Sequence, residues 1–142
     1  MSLAKEITKA VNLLKKHRND EIKIISHLDA DGISSAGIIS KTLDREGIEN
    51  KVSIVKLNKI LEKIDSSELT IFTDLGSGQL PRIKKVMEKD YIVIDHHIPQ
   101  GECEYHINPN LFGIDGGKEI SLSLIHISEP TRPLYISYAV FC

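Results

Sequence analysis

Ile22-Lys23-Ile24-Ile25-Ser26-His27-Leu28-Asp29-Ala30-Asp31-Gly32-Ile33-Ser34-Ser35-Ala36 begins as a β-forming run, crosses a knot of histidine and aspartate, and leaves into a helix-forming segment. The same grammar recurs along the chain. Leu69 to Thr73 is a second apolar run that ends on Asp74-Leu75-Gly76-Ser77-Gly78, and Tyr91 to Ile94 runs into Asp95-His96-His97. A shorter run, Glu104 to Ile107, leads to Asn108-Pro109. Strands that alternate with helices predict a three-layer α/β domain, its sheet mostly parallel, of about five strands, with right-handed crossovers. Strand ends on one edge of such a sheet line a common crevice. Groups scattered in sequence at these exits therefore converge in space.

The remaining elements follow from periodicity. Leu3, Ile7, Ala10, Val11 and Leu14 recur at helical spacing, which predicts an amphipathic helix over 2–18. A helix is expected from Gly32 to Glu46, ended by Gly47, then a strand over Lys51 to Lys56 and a short helix over Asn58 to Ile64. Pro81 suits a first helical turn, with the helix running to about Lys89.

With 142 residues the chain holds one domain and a modest core. A formal charge of −2 gives no global attraction to polyanions, so nucleic-acid binding needs a local patch. Cys103 and Cys142 form no disulfide framework, and no apolar run approaches a membrane span. A reducing cytoplasm fits, with no membrane partner.

The chemistry sits at the strand exits. Aspartate and histidine without cysteine suit two hydrated divalent cations, Mn²⁺ or Mg²⁺, and such a pair activates water for attack on a phosphodiester. Asp29 and Asp31 point the same way if the backbone stays extended between them; helix capping is the alternative use for an aspartate here. His27 reads either as a ligand or as a buried, hydrogen-bonded histidine. Gly76, Ser77 and Gly78 let backbone N–H groups approach a phosphate, although such turns are often only turns. Asp115 among its glycines reads as a turn residue, and His17, His106 and His126 as surface, strand and tail residues.

These motifs resemble those of the DHH phosphoesterase superfamily. Asp95-His96-His97, with Asp29, Asp31 and Asp74, carries the resemblance, and His27-Leu28-Asp29-Ala30-Asp31-Gly32 and Asp74-Leu75-Gly76-Ser77-Gly78-Gln79-Leu80 are similar to the archaeal RecJ-like nucleases. So is Asn108-Pro109-Asn110-Leu111-Phe112-Gly113. The resemblance implies that His27, Asp29, Asp31, Asp74 and His96 bind metal, with Asp74 between the two ions. It implies that Asp95 orients an imidazole, that His97 faces the scissile phosphate, and that Asn108-Pro109 shapes the wall of the cleft, with Asn108 near substrate. The implied activity is exonucleolytic hydrolysis of single-stranded DNA or RNA, with GINS or other replisome proteins as candidate partners. Two alternatives stand beside it. One is a small-substrate phosphoesterase for short oligonucleotides, cyclic dinucleotides, bisphosphate nucleotides or pyrophosphate. The other is a non-catalytic replication scaffold, against which the full Asp/His set argues.

The resemblance covers about residues 21–121, so residues 1–121 are expected to form the N-terminal part of a DHH domain that is incomplete at its C-terminus. Residues 122–142 lose the lysines frequent before them and resemble translated sequencing-adapter read-through, a non-native tail. A Gly-Ala-rich helix, a further metal-binding aspartate and a second substrate-binding domain, all implied by the resemblance, are not located in the sequence. The chain as written is expected to be inactive for that reason.

Overall fold

The structure is a computed structural model that describes residues 2–114. Helix α1 (Leu3–Lys16) is followed by β1 (Ile22–His27), α2 (Ala30–Arg45), β2 (Asn50–Val55) and a 3₁₀ turn (Leu57–Lys63). Then come β3 (Leu69–Thr73), a 3₁₀ turn (Ser77–Gln79), α3 (Leu80–Val86), β4 (Asp90–Ile94), β5 (His106–Ile107) and a last 3₁₀ turn (Pro109–Phe112). The strands form one sheet in the order β2-β1-β3-β4-β5, and each neighbouring pair is parallel.

Sheet alternation divides the core in two. Ile22, Ile24, Leu69, Ile71, Ile92, Ile94 and Ile107 face α1 and α2, whose Ile7, Ala10, Leu14, Ala36, Ile39 and Leu43 cover them. Ile25, Phe72 and Val93 face the other way, against Ile60, Leu80 and Ile83. Strands buried on both faces read as continuous apolar runs, which is why β1, β3 and β4 stand out in the sequence.

The expected elements are present, with shifted ends. Helix α2 begins at Ala30, two residues before Gly32, because the Asp29 side chain caps it. Helix α3 stops at Val86 instead of Lys89; Met87 turns extended so that Asp90 can pair with Leu69. Strand β5 is only two residues long. His17, expected simply at the surface, bridges two elements: its Nδ1 lies 2.8 Å from Asp20 and its Nε2 2.9 Å from Asp90. No described helix is long and apolar enough to cross a membrane. The expectations for Asp115, His126 and the tail lie outside the described residues.

Strand order reverses between β1 and β3: β2 lies on one side of β1, and every later strand lies on the other. A crevice opens at the carboxyl edge of such a switch point. His27 and Asp29 leave β1 there, and Asp74 leaves β3.

Candidate metal centre

Three strand exits build the site. At the end of β1, Ser26 is fully buried, and its hydroxyl lies 2.7 Å from the Gly32 carbonyl and 2.9 Å from the Thr73 carbonyl. This one side chain ties the exits of β1 and β3 together. The first turn of α2 passes so near β1 that a Cβ on Gly32 would sit 2.1 Å from the His27 carbonyl oxygen. Only glycine fits. Asp29 accepts the Gly32 N–H at 2.7 Å through Oδ1 and pairs with His27 Nδ1 at 2.9 Å through Oδ2. Capping and site-building are thus the work of one carboxylate. Asp31 stays exposed in the first turn of α2. The helix starts before it, so the extended alternation that would set it beside Asp29 does not arise.

Asp74 is buried and adopts φ 59°, the left-handed region that few side chains other than Asn and Asp enter readily. Its N–H donates to the Ile94 carbonyl at 3.0 Å, which locks the exit of β3 to that of β4. Its Oδ1 lies 3.0 Å from His96 Nε2. One donor atom from each of His27, Asp29 and Asp74 falls within 4.8 Å of the other two.

Beyond β4, Asp95 is 1% exposed and takes four contacts. His97 Nδ1 lies 2.6 Å from Oδ1, and the His96 and His97 N–H groups donate to the same oxygen at 2.8 and 3.4 Å. The Ser77 N–H donates to Oδ2 at 3.1 Å. With Nδ1 engaged, His97 Nε2 has no hydrogen-bond partner among the described residues, and the ring centroid is 4.5 Å from that of His96. Asp74, Asp95, His96 and His97 form a second set of donors, again within 4.8 Å of one another. Asp74 belongs to both.

Charge is unevenly settled here. Burial pushes the Asp74 carboxyl above the usual carboxylate range, and the adjacent Asp29 adds to that despite the His96 bond. Burial also acts on Asp29, but the Gly32 N–H, Asp74 and His27 hold it below the range. Asp95, with burial against it, is held down by His97 and the surrounding N–H groups. The bond to Asp74 raises His96 above an ordinary imidazole, and the bond to Asp95 raises His97. Paired carboxylates beside two imidazoles are a donor set that a divalent cation would satisfy, since it replaces shared protons with positive charge.

Ser77 and Asn108 lie beneath this centre, both fully buried. Ser77 Oγ is 2.9 Å from His106 Nε2 and accepts from Asn108 Nδ2 at 2.9 Å. Asn108 Nδ2 also donates to the His97 carbonyl at 2.8 Å, and Asn110 Nδ2 donates to the His96 carbonyl at 2.8 Å. Their polar groups are taken up inside the protein. Gly76, at φ 113°, leaves room for only 3.1 Å between an added Cβ and Val93, and it opens the turn that carries Ser77. Gly78 is exposed. The part played by His106 and Asn110 was not readable from sequence; only the Asn108-Pro109-Asn110 wording hinted at a special turn.

Known proteins share this fold. The family model "DHH family, N-terminal domain" matches residues 21–140. An uncharacterized protein of Methanocaldococcus jannaschii, MJ0831, is 35% identical over 139 residues, covering 87% of this chain and 32% of its own. RecJ from Thermus thermophilus, solved in complex with Mn²⁺, superposes with a TM-score of 0.66 at 22% identity over 96% of this chain and 20% of its own. A manganese-bound exonuclease RecJ gives 0.64 at 20% identity, over 99% of this chain and 39% of its own. CDC45 from Entamoeba histolytica gives 0.59 at 17% identity, over 72% and 23%. The chain spans about a third of the length of the curated relative it matches. The likeness to solved structures is one of fold, but the family model covers most of the chain: this protein belongs to the DHH family, and its matched segment is the family's N-terminal domain.

Proposed function

We propose that the intact protein is a metal-dependent phosphoesterase that hydrolyses phosphodiester bonds in single-stranded DNA or RNA, as a RecJ-like exonuclease. One observation carries the reading: Asp29, Asp74, Asp95, His96 and His97 follow three different strands and fall into two donor sets that share Asp74. His27, Asp29 and Asp74 would hold one Mn²⁺ or Mg²⁺, and Asp74 with His96 a second. Asp31, exposed in the first turn of α2, belongs to neither donor set. When bound, two such ions supply Lewis acidity toward a phosphoryl oxygen and a nucleophile at neutral pH. Asp74 is common to both donor sets and would serve both ions. Asp95 holds the His97 ring so that Nε2 is presented to a phosphate oxygen. Asp29, at the N-terminus of α2, puts its charge where the helix dipole favours it.

Both RecJ structures were solved with manganese, which supports the choice of metal. The fold likeness to CDC45 supports a replication setting and raises the scaffold reading, with GINS-type partners. The assembled Asp/His set favours catalysis over a scaffold. Mn²⁺ titration of the 142-residue chain tests the centre. Hydrolysis is measured with end-labelled single-stranded DNA and RNA, cyclic dinucleotide and pyrophosphate, on the intact protein and on the longer M. jannaschii relative. Mn²⁺-dependent shortening of single strands, abolished by chelator and by Asp74→Ala, is the expected result. Cleavage that survives chelator sinks the proposal, and turnover of the small substrates alone moves it to the small-substrate branch.

A further inference from the structure

We propose that His106, through Ser77, is a positioning residue that sets the His96–His97 turn; its consequence for metal affinity rests on the metal-centre reading above. Ser77 bonds to four other residues. Its N–H donates to Asp95, its carbonyl accepts the Gln100 N–H at 2.9 Å, and its hydroxyl meets His106 and Asn108. Ser77 thus joins the exits of β4 and β5, with its N–H on one and its hydroxyl on the other.

The protons can be placed. Asn108 Nδ2 spends one hydrogen on Ser77 Oγ and the other on the His97 carbonyl. Ser77 Oγ is therefore an acceptor toward Asn108, and its own proton has His106 Nε2, at 2.9 Å, as its partner among the described residues. The neutral His106 ring then carries its hydrogen on Nδ1. The reverse tautomer would leave the Ser77 hydroxyl proton without an acceptor. Nδ1 itself is buried without a hydrogen-bond partner among the described residues.

That orphan is informative. A buried polar atom left unsatisfied costs about 1–3 kcal/mol. An aliphatic side chain at this position of β5 would fill the same apolar sheet without that cost. Strand pairing does not need the imidazole either, since β5 pairs with Val93 and Ile94 through backbone. What the imidazole adds is the bond to Ser77. That bond holds the Ser77 hydroxyl in one orientation and so keeps Asn108 aimed at the His97 carbonyl. It also seats the Ser77 N–H on Asp95 Oδ2, which leaves Oδ1 for the His97 ring. Outer groups of this kind change metal affinity without touching metal.

The test uses the metal-free 142-residue chain labelled with ¹⁵N-histidine, in which side-chain NMR reads the His97 tautomer held by Asp95. His106→Phe keeps bulk and deletes the bond; Ser77→Ala deletes only the hydroxyl; His106→Gln keeps a polar atom near the position of Nε2. We expect the His97 Nδ1–H signature to average out in His106→Phe and Ser77→Ala and to persist in His106→Gln. Calorimetric Mn²⁺ affinity should fall about 10- to 100-fold in the first two and recover in His106→Gln. An unchanged His97 spectrum in folded Ser77→Ala overturns the proposal, as does equal loss in His106→Gln and His106→Phe. If His106→Phe does not fold, Ser77→Ala against wild type decides. A wild-type chain that binds no Mn²⁺ refutes the metal-centre reading, while the His97 spectrum still settles the positioning role.

Discussion

Asp74 is the residue on which structure and chemistry compete most openly. It is buried, stands beside Asp29, and holds φ 59°. Each of these disfavours folding, and strained conformations of this kind cluster at functional sites. Replacement therefore separates the two effects. Asp74→Gly removes the backbone strain and the crowded carboxyl together, so its melting temperature should rise above wild type while Mn²⁺ binding is lost. Asp74→Ala loses the same carboxyl but keeps a Cβ in the left-handed region, which costs roughly 1–2 kcal/mol relative to glycine. It should melt below Asp74→Gly, with equal loss of metal binding. Thermal denaturation of the two variants in chelator checks the order; if they melt alike, φ at this position carries no strain. Nothing in the sequence shows that strain. A lone aspartate after an apolar run was enough to nominate Asp74, because strand exits are local features. Its backbone conformation depends on the bond to Ile94, a residue of the neighbouring strand. Asp31 shows the opposite limit: a helix start only two residues earlier than expected moved it away from Asp29.

At the level of elements, the junction of β1 with α2 and the corner between α1 and β4 each hang on one residue. Gly32→Ala would drive a Cβ into the His27 carbonyl, and backbone cannot yield as a flexible side chain does. The first turn of α2 must then lift, which breaks the Asp29 cap and the Ser26 bridge together. Loss of an N-cap alone costs about 0.5–2 kcal/mol, so Gly32→Ala should lose more than that by chemical denaturation. A change within error would show that the close approach is not needed. Strands and helices were legible because both faces of β1, β3 and β4 are apolar and the helices keep their own period. The links between elements were not, since Ser26, Ser77 and His106 look like ordinary strand or turn residues until the sheet is assembled. His17 is another. Burial lowers its pKa, but the bonds to Asp90 and Asp20 outweigh that and raise it above 6.5. A raised folded pKa stabilises fully below the unfolded value and is lost as pH climbs through the folded one. The melting-temperature gap between wild type and His17→Gln should thus be wider near about pH 5.5 than near about pH 8.5. A gap that widens with pH would contradict the two ion pairs.

Across the whole molecule, the sheet order gathers at one edge the groups least content to be there. Asp29, Asp74 and Asp95 come from three neighbouring strands into two donor sets that share Asp74, and among the described residues imidazoles and N–H groups offset them. Two apolar layers supply the stability that tolerates this concentration of charge. A ligand that binds the folded chain alone adds stability by mass action, about 2.7 kcal/mol at one hundred times its Kd. In a domain of this size each kcal/mol moves the midpoint by about 4 °C. Saturating Mn²⁺ should therefore raise the melting temperature by on the order of 10 °C or more, reversibly with chelator. The gain should vanish in Asp74→Gly, which starts from a higher baseline. Ca²⁺, which prefers a larger shell of oxygen ligands, should stabilise far less than Mn²⁺ at a site that includes imidazole. If Mn²⁺ and Ca²⁺ give the same shift, or if Asp74→Gly responds as wild type does, the acidic edge is acting as a diffuse counter-ion sink and the two-ion centre is lost. A specific shift would connect the parallel order of five strands to a defined cation site through residues that never neighbour one another in sequence.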